Sequence, residues 1–165
     1  NLIFFKTLGT NEAGTATRYS YTNILSAYTM GIETKVALNL FDSLSLETGY
    51  ALMQTRDEVR KRALEGRAVH RGNVNLKYRH QGIGFEATAR ASIVGKRPFY
   101  SDTDEEDNSE TKHADPYASI DLRIGQRLFD ELSLFAGVKN LLNAGHVTFL
   151  TIQPRTYYGG MTGRL

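Results

Sequence analysis

At 165 residues the chain is long enough for one domain with a real core, and a formal net charge of +2 with no basic, aromatic-rich segment argues against a nucleic-acid partner. Cysteine is absent, which removes disulfides, CxxC metal sites and a thiol nucleophile. No window approaches the roughly 20 consecutive apolar residues of a membrane helix; a membrane barrel stays open, because its strands need apolar residues only at every second position.

Asn1 to about Leu8 is strand-like without clear alternation, and Gly9 to about Arg18 has the Gly, Thr, Asn and Ala content of a loop. The next strand is clean: Tyr28, Met30, Ile32, Thr34, Val36, Leu38 and Leu40 share one face, opposite Thr29, Gly31, Glu33, Lys35, Ala37 and Asn39. A tight turn at Phe41-Asp42-Ser43 leads to a strand with Leu44, Leu46, Thr48, Tyr50 and Leu52 on one face. A charged break follows, from about Arg56 to Arg67, where a short helix fits only over about Glu58 to Leu64.

The third clean strand sets Val74, Leu76 and Tyr78 against Asn73, Asn75, Lys77 and Arg79, and turns at His80-Gln81-Gly82. The fourth sets Phe85, Ala87, Ala89, Ala91 and Ile93 against Glu86, Thr88, Arg90, Ser92 and Lys96. A second long break, about Phe99 to Pro116, contains the acidic run Asp102 to Asp107. The fifth strand carries Ala118, Ile120, Leu122, Ile124 and Leu128 opposite Ser119, Asp121, Arg123 and Arg127, and Phe129-Asp130-Glu131 turns the chain. The sixth has Leu132, Leu134, Ala136 and Val138 opposite Ser133, Phe135, Gly137 and Lys139. In the last strand Tyr157, Gly159, Met161, Gly163 and Leu165 lie on one face, Tyr158, Gly160, Thr162 and Arg164 on the other.

Apolar residues recur at every second position through most segments, so helix is a poor competitor. Two features bear on the class of β protein. Connections alternate between short turns and long breaks, as in bacterial outer-membrane barrels. The polar faces are heavily charged in mid-strand, on strands of about 10 to 14 residues, longer than the usual 5 to 6. The competing reading is a soluble antiparallel meander with a solvated charged face; length and loop alternation favour the membrane barrel.

Several stretches resemble TonB-dependent outer-membrane receptors. Tyr21-Thr22-Asn23 with Met30-Gly31-Ile32-Glu33 resembles a Y-x-N … G-V/I-E start of a strand, and Leu64-Glu65-Gly66-Arg67-Ala68-Val69-His70 resembles L-x-G-R-P-x-H, with Ala68 in place of Pro. Gly137 to Asn143 resembles G-V-x-N-L-F/L-D/N, followed by Pro154-Arg155-Thr156-Tyr157, which resembles P-R-x-Y, and by a terminal strand ending in Leu165 where Phe is usual. The resemblance implies an all-β antiparallel transmembrane barrel, with about eight strands here as the C-terminal part of a barrel of about 22 strands closed around a plug. Residues 1–165 are then the C-terminal portion of the barrel domain, with the plug and first barrel strands elsewhere. The start at Asn1 fits a mature product, a cleavage fragment, a split subunit or part of a longer chain.

The function so implied is energy-coupled uptake across the bacterial outer membrane of a scarce ligand, most often a ferric siderophore or other metal chelate, with cobalamin or haem in the same class. The implied partners are TonB, the remaining barrel and plug, outer-membrane lipid and lipopolysaccharide, and the chelate itself. Tyr157, Tyr158, Met161 and Leu165 are the expected C-terminal insertion signal. The residues alone point to no catalytic constellation and to no cofactor. His70, His80, His113 and His146 lie in or beside different turns without metal-ligand spacing and read as surface residues; contact of His70, His113 or His146 with a chelate is the sharper alternative. The basic cluster Arg56, Arg60, Lys61, Arg62, Arg67 and Arg71 has its own carboxylate neighbours Asp57, Glu58 and Glu65, yet could meet an anionic chelate or lipopolysaccharide phosphates. Arg60, Lys61, Arg62, Arg67, His70 and His113 are therefore the candidate ligand contacts. Two other classes stay open: a complete eight-stranded structural or adhesion barrel, in which Leu2 to Leu8 would pair with Thr156 to Leu165, and a soluble β-barrel binding protein.

Overall fold

A computed structural model of the chain describes residues 2–10, 17–24, 26–101, 110–145 and 152–163. All of its regular elements are strands: β1 (Leu2–Thr10), β2 (Thr17–Ile24), β3 (Ala27–Phe41), β4 (Leu44–Asp57), β5 (His70–His80), β6 (Phe85–Val94), β7 (Arg97–Ser101), β8 (Glu110–Ala114), β9 (Tyr117–Phe129), β10 (Leu132–Lys139) and β11 (Thr156–Gly163). A seven-stranded antiparallel sheet runs in the order β11-β10-β9-β6-β5-β4-β3, and β1–β2 and β7–β8 form separate two-stranded sheets. Every strand expected between Tyr28 and Lys139 is present. Three more emerge, β2, β7 and β8; β7 starts at Arg97, just before the expected Phe99 to Pro116 break, and runs into it, while β8 lies inside it.

The register keeps the two faces unmixed across all seven strands. Ile32 pairs with Leu52, Leu46 with Leu76, Val74 with Ala91, Ala89 with Leu122, Ile124 with Ala136, and Leu134 with Met161. Directly opposed residues share a face, so one residue of slip would mix the sets. The resulting apolar face stays open: Ile32 is 66% exposed and Met30 58%. Among the described residues only Ala68, Ala114 and Val138 are buried apolar side chains. A soluble sandwich would cover such a face; an apolar surface this broad has bilayer as its natural solvent.

One rim carries tight turns at residues 42–43, 81–84 and 130–131, the other carries connections at 58–69, 95–116 and 140–155. Gly84 is required in the second turn: its φ is +66°, and a Cβ there would meet the Arg127 Cβ at 2.8 Å. No helix forms over Glu58 to Leu64. Asp57 and Arg62 form a β-bridge instead, and Asp57 Oδ1 accepts the Val59 and Arg60 amides at 2.9 and 3.0 Å. A carboxylate that captures nearby amides competes with the helical hydrogen-bond ladder.

In the seven-stranded sheet β3 and β11 each pair on one side only, and β1 pairs with β2. Pairing of Leu2 to Leu8 with Thr156 to Leu165, required for an eight-stranded closed barrel, is not seen among the described residues.

Candidate functional site

The chemistry-bearing residues fall into three places: the polar face of the sheet, the cap made by two long connections, and the loop after β10. On the polar face, cations outnumber carboxylates among the described residues. Lys35, Arg71, Lys77, Arg79, Arg90, Arg123, Arg127 and Lys139 share it with Glu33, Glu47, Asp57, Glu86 and Asp121, as the register dictates. Glu47 lies between Lys35 (3.9 Å) and Lys77 (3.8 Å). Glu86 takes a short hydrogen bond from Arg123 Nη1 and lies 3.9 Å from Arg79. These groups are about half exposed, so each pair adds at most about 1 kcal/mol.

Arg79, Glu86, Arg123, Arg127 and Phe135 line a hollow of about 460 Å³ near the short-turn rim. A second, of about 750 Å³, lies toward the long-loop side and includes Glu33, Lys35, Arg71, Asn73, Ser92 and Tyr117. Aromatic rings on this face rest on glycines. Tyr158 lies over Gly137, its cross-strand partner, and Phe135 over Gly160. The two rings are 6.4 Å apart, and the Arg123 guanidinium sits 5.0 Å from the Phe135 ring centre. Such cover replaces packing that a glycine cannot supply.

The cap joins the 58–69 connection to the β7–β8 hairpin. Gly66 N–H donates to Pro98 O (2.9 Å), Tyr100 O–H to Ala63 O (3.1 Å), and the Arg62 guanidinium stacks 3.9 Å above the Tyr100 ring. Arg97 lies between the Phe99 and Tyr117 rings, 5.8 and 5.5 Å away. Burial raises the Tyr100 pKa above its ordinary 10.0, partly opposed by the Arg62 charge.

The third place is centred on Asn140, which is 3% exposed and has φ +48°. Its Nδ2 donates to Ala144 O (2.7 Å) and Gln153 O (3.0 Å), and its Oδ1 accepts the Ala144 amide (2.8 Å). Its own amide donates to Asp121 Oδ1 (2.8 Å). Asn143, at φ +51°, accepts the Arg155 amide at 2.9 Å. The N-L-L-N stretch thus works as a clamp: asparagine tolerates the left-handed backbone and supplies both donor and acceptor.

The sequence-level candidates do not converge on one point. Arg60, Lys61 and Arg67 are exposed on the 58–69 connection, Lys61 paired with Glu58 at 3.0 Å. Arg62 is half-buried on Tyr100. His113 is exposed on β8, paired in register with Pro98. His70 sits at the start of β5, and its register with Leu52 puts it on the apolar face. Its Nδ1 is 2.6 Å from Tyr50 Oη. In the terminal strand Tyr157 (71% exposed) and Met161 (74%) lie on the apolar face, whereas Tyr158 faces the polar side. His146, Leu165 and the Asp102 to Asp107 run lie outside the described residues. Among those described, no group of three His, Cys, Asp or Glu residues could hold a metal ion. Sequence reasoning missed the part played by Arg97 and Tyr100; the clustering of Arg97, Phe99 and Tyr100 was the available signal. It quoted Asn140 within a motif without its hydrogen-bonding role.

The family model described as TonB dependent receptor-like, beta-barrel matches residues 1–141. The chain belongs to this family. Solved structures of similar fold include the ferric enterobactin receptor of Pseudomonas aeruginosa, 22% identical at TM-score 0.72 over 99% of this chain and 27% of that one. The ferripyoverdine receptor of the outer membrane of Pseudomonas aeruginosa matches at 18% identity and TM-score 0.69, over 94% of this chain and 21% of that one. A copper transporter matches at 16% identity and TM-score 0.66, over 98% and 26%. No curated protein matches the chain. The chain therefore spans about a fifth to a quarter of the length of these receptors. Within the family fold, the hollows on the polar face belong to the barrel wall, and the cap and the Asn140 clamp to its long-loop rim.

Proposed function

We propose that this chain is a stretch of wall and rim from an outer-membrane transporter that takes up a scarce metal-bearing ligand by coupling to TonB. The observation that carries this reading is the sorting of the seven-stranded sheet into one open apolar face and one charged face, with long connections on a single rim. That is the pattern of a sheet with lipid on one side and a wet interior on the other. The single-sided pairing of β3 and β11 supports a larger barrel, because unpaired backbone groups cost several kcal/mol each in lipid. On this reading residues 1–165 form the C-terminal part of the barrel domain, the long connections face outward, and further strands and a plug complete it.

The cargo proposed is an anionic metal chelate, a ferric siderophore first. Two of the structural neighbours are receptors for ferripyoverdine and ferric enterobactin, and the excess of cations on the polar face suits a negative ligand. Exposed Arg60, Lys61, Arg67 and His113 are the proposed loop contacts. The test is uptake of radiolabelled ferric chelates by cells expressing the protein, with and without TonB, beside outer-membrane fractionation. TonB-dependent accumulation is expected. Absence of the protein from the outer membrane, or equal uptake when its gene is deleted, sinks the proposal.

A further inference from the structure

The apolar face holds one cationic strand residue out of place. Within the seven-stranded sheet, among the described residues, every Lys and Arg of a strand is turned by its register to the polar face except Arg56. Arg56 is exposed at the long-loop end of β4, paired with Tyr28, itself 40% exposed. Four residues back along β4, roughly 13 Å at about 3.3 Å per residue, Leu52 pairs with His70. His70 is joined to the outward Tyr50 by the 2.6 Å contact. Whichever tautomer His70 adopts, that pair keeps one donor hydrogen to spare: Nε2–H if Nδ1 accepts from the phenol, the phenol O–H if Nδ1 donates. Beside them Gly72, the cross-strand partner of Tyr50, leaves a gap in the side-chain layer.

The opposite rim differs. Its outward residues include Phe41, Tyr78, His80 and Phe129, and its two-residue turns carry Asp42, Asp130 and Glu131. Charge on the apolar face is thus positive at the long-loop rim, and among the described residues the apolar face of the other rim carries no Lys or Arg. An arginine held at the edge of an apolar band has phosphate as its fitting partner, since guanidinium and phosphate pair through two parallel hydrogen bonds.

We propose that Arg56 and the Tyr50–His70 pair form a two-point site for a bisphosphorylated lipid headgroup in the leaflet at the long-loop rim. One phosphate engages Arg56, with the Tyr28 hydroxyl beside it. The other engages the free donor of the Tyr50–His70 pair, and the acyl chains lie along the apolar face. This inference rests on the outer-membrane reading above and involves neither the cargo nor the polar face.

The test uses the protein purified from outer membranes in mild detergent, exchanged with bisphosphoryl lipid A, monophosphoryl lipid A or phosphatidylethanolamine, and examined by native mass spectrometry. The parent protein should retain the bisphosphorylated lipid at least about tenfold better than the monophosphorylated one. Arg56→Gln combined with His70→Ala should abolish that preference, whereas Lys112→Gln, an exposed cation on β8, should keep it. Heat-modifiable gel mobility establishes that each variant is folded. A parent protein with no preference, or a double variant that keeps it, overturns the proposal and leaves the transporter reading intact. A protein absent from the outer membrane overturns both.

Discussion

Replacing Asn140 with Ala should release the connection between β10 and β11 without unfolding the sheet. The side chain makes three hydrogen bonds, two from Nδ2 and one to Oδ1, in a position only 3% exposed. At about 1 kcal/mol net per bond, losing three costs about 3 kcal/mol. Holding alanine at φ +48° adds roughly 1 kcal/mol. Water reaching part of the freed groups lowers the sum, leaving about 2–4 kcal/mol of local stability lost. At 1.4 kcal/mol per factor of ten, the Ala144 amide should exchange about 30-fold to 1,000-fold faster. Hydrogen exchange read by mass spectrometry on peptides covering 140–145, in detergent, measures this directly. Asn140→Gly separates the contributions: it loses the same bonds but not the backbone strain, and should exchange roughly fivefold slower than the alanine variant. Wild-type protection of Ala144 in a folded Asn140→Ala protein would refute the clamp.

Three further outcomes follow from the two faces and the cap. Val74→Lys, on the apolar face, should destabilise the barrel by about 2–4 kcal/mol near mid-bilayer, whereas Asn73→Lys, one residue away on the polar face, should cost under about 1 kcal/mol; equal losses in urea unfolding from lipid vesicles would show that the face assignment is wrong. Gly137→Val should cost about 1–3 kcal/mol through overpacking, because a Cβ at that position meets the Tyr158 ring at 2.5 Å. Adding Tyr158→Ala should recover part of that loss in thermal gel-shift assays, and strict additivity of the two changes would count against ring-over-glycine packing. Tyr100 should ionise above the ordinary tyrosine value of 10.0. Its folded pKa is raised, so its contribution to cap stability is complete below the ordinary value of 10.0 and fades as pH rises through the folded pKa. The ultraviolet titration difference between the parent and Tyr100→Phe reads this, and ionisation at or below the ordinary value would contradict burial in the cap.

Alternation by itself determined most of the sheet. Because side chains repeat every two residues along a strand, the split of Met30, Ile32, Val36 and Leu38 from Glu33 and Lys35 already fixed which residues share a face, and pairing preserved that split across β3 to β11. Turn composition marked the short rim, through Phe41-Asp42-Ser43, His80-Gln81-Gly82 and Phe129-Asp130-Glu131. Only the tertiary structure decided what depends on partners distant in sequence. β7 and β8 are short, and neither reads as a strand until Gly66 and Glu65 meet Pro98 and Tyr100 from the neighbouring connection. The stretch after Asp57 carries helix-compatible residues, but one carboxylate capturing two amides closed a turn instead. His70 read as a surface residue in or beside a turn; registration with Leu52 put it on the apolar face beside Tyr50. Asn140 was visible as a letter in a motif. Its role came from three carbonyl and amide groups, of Ala144 and Gln153, that reach it only when the chain folds back toward β11. Periodicity encodes which way a side chain points, whereas partners separated by many residues are brought together only by the pairing of the strands and the connections between them.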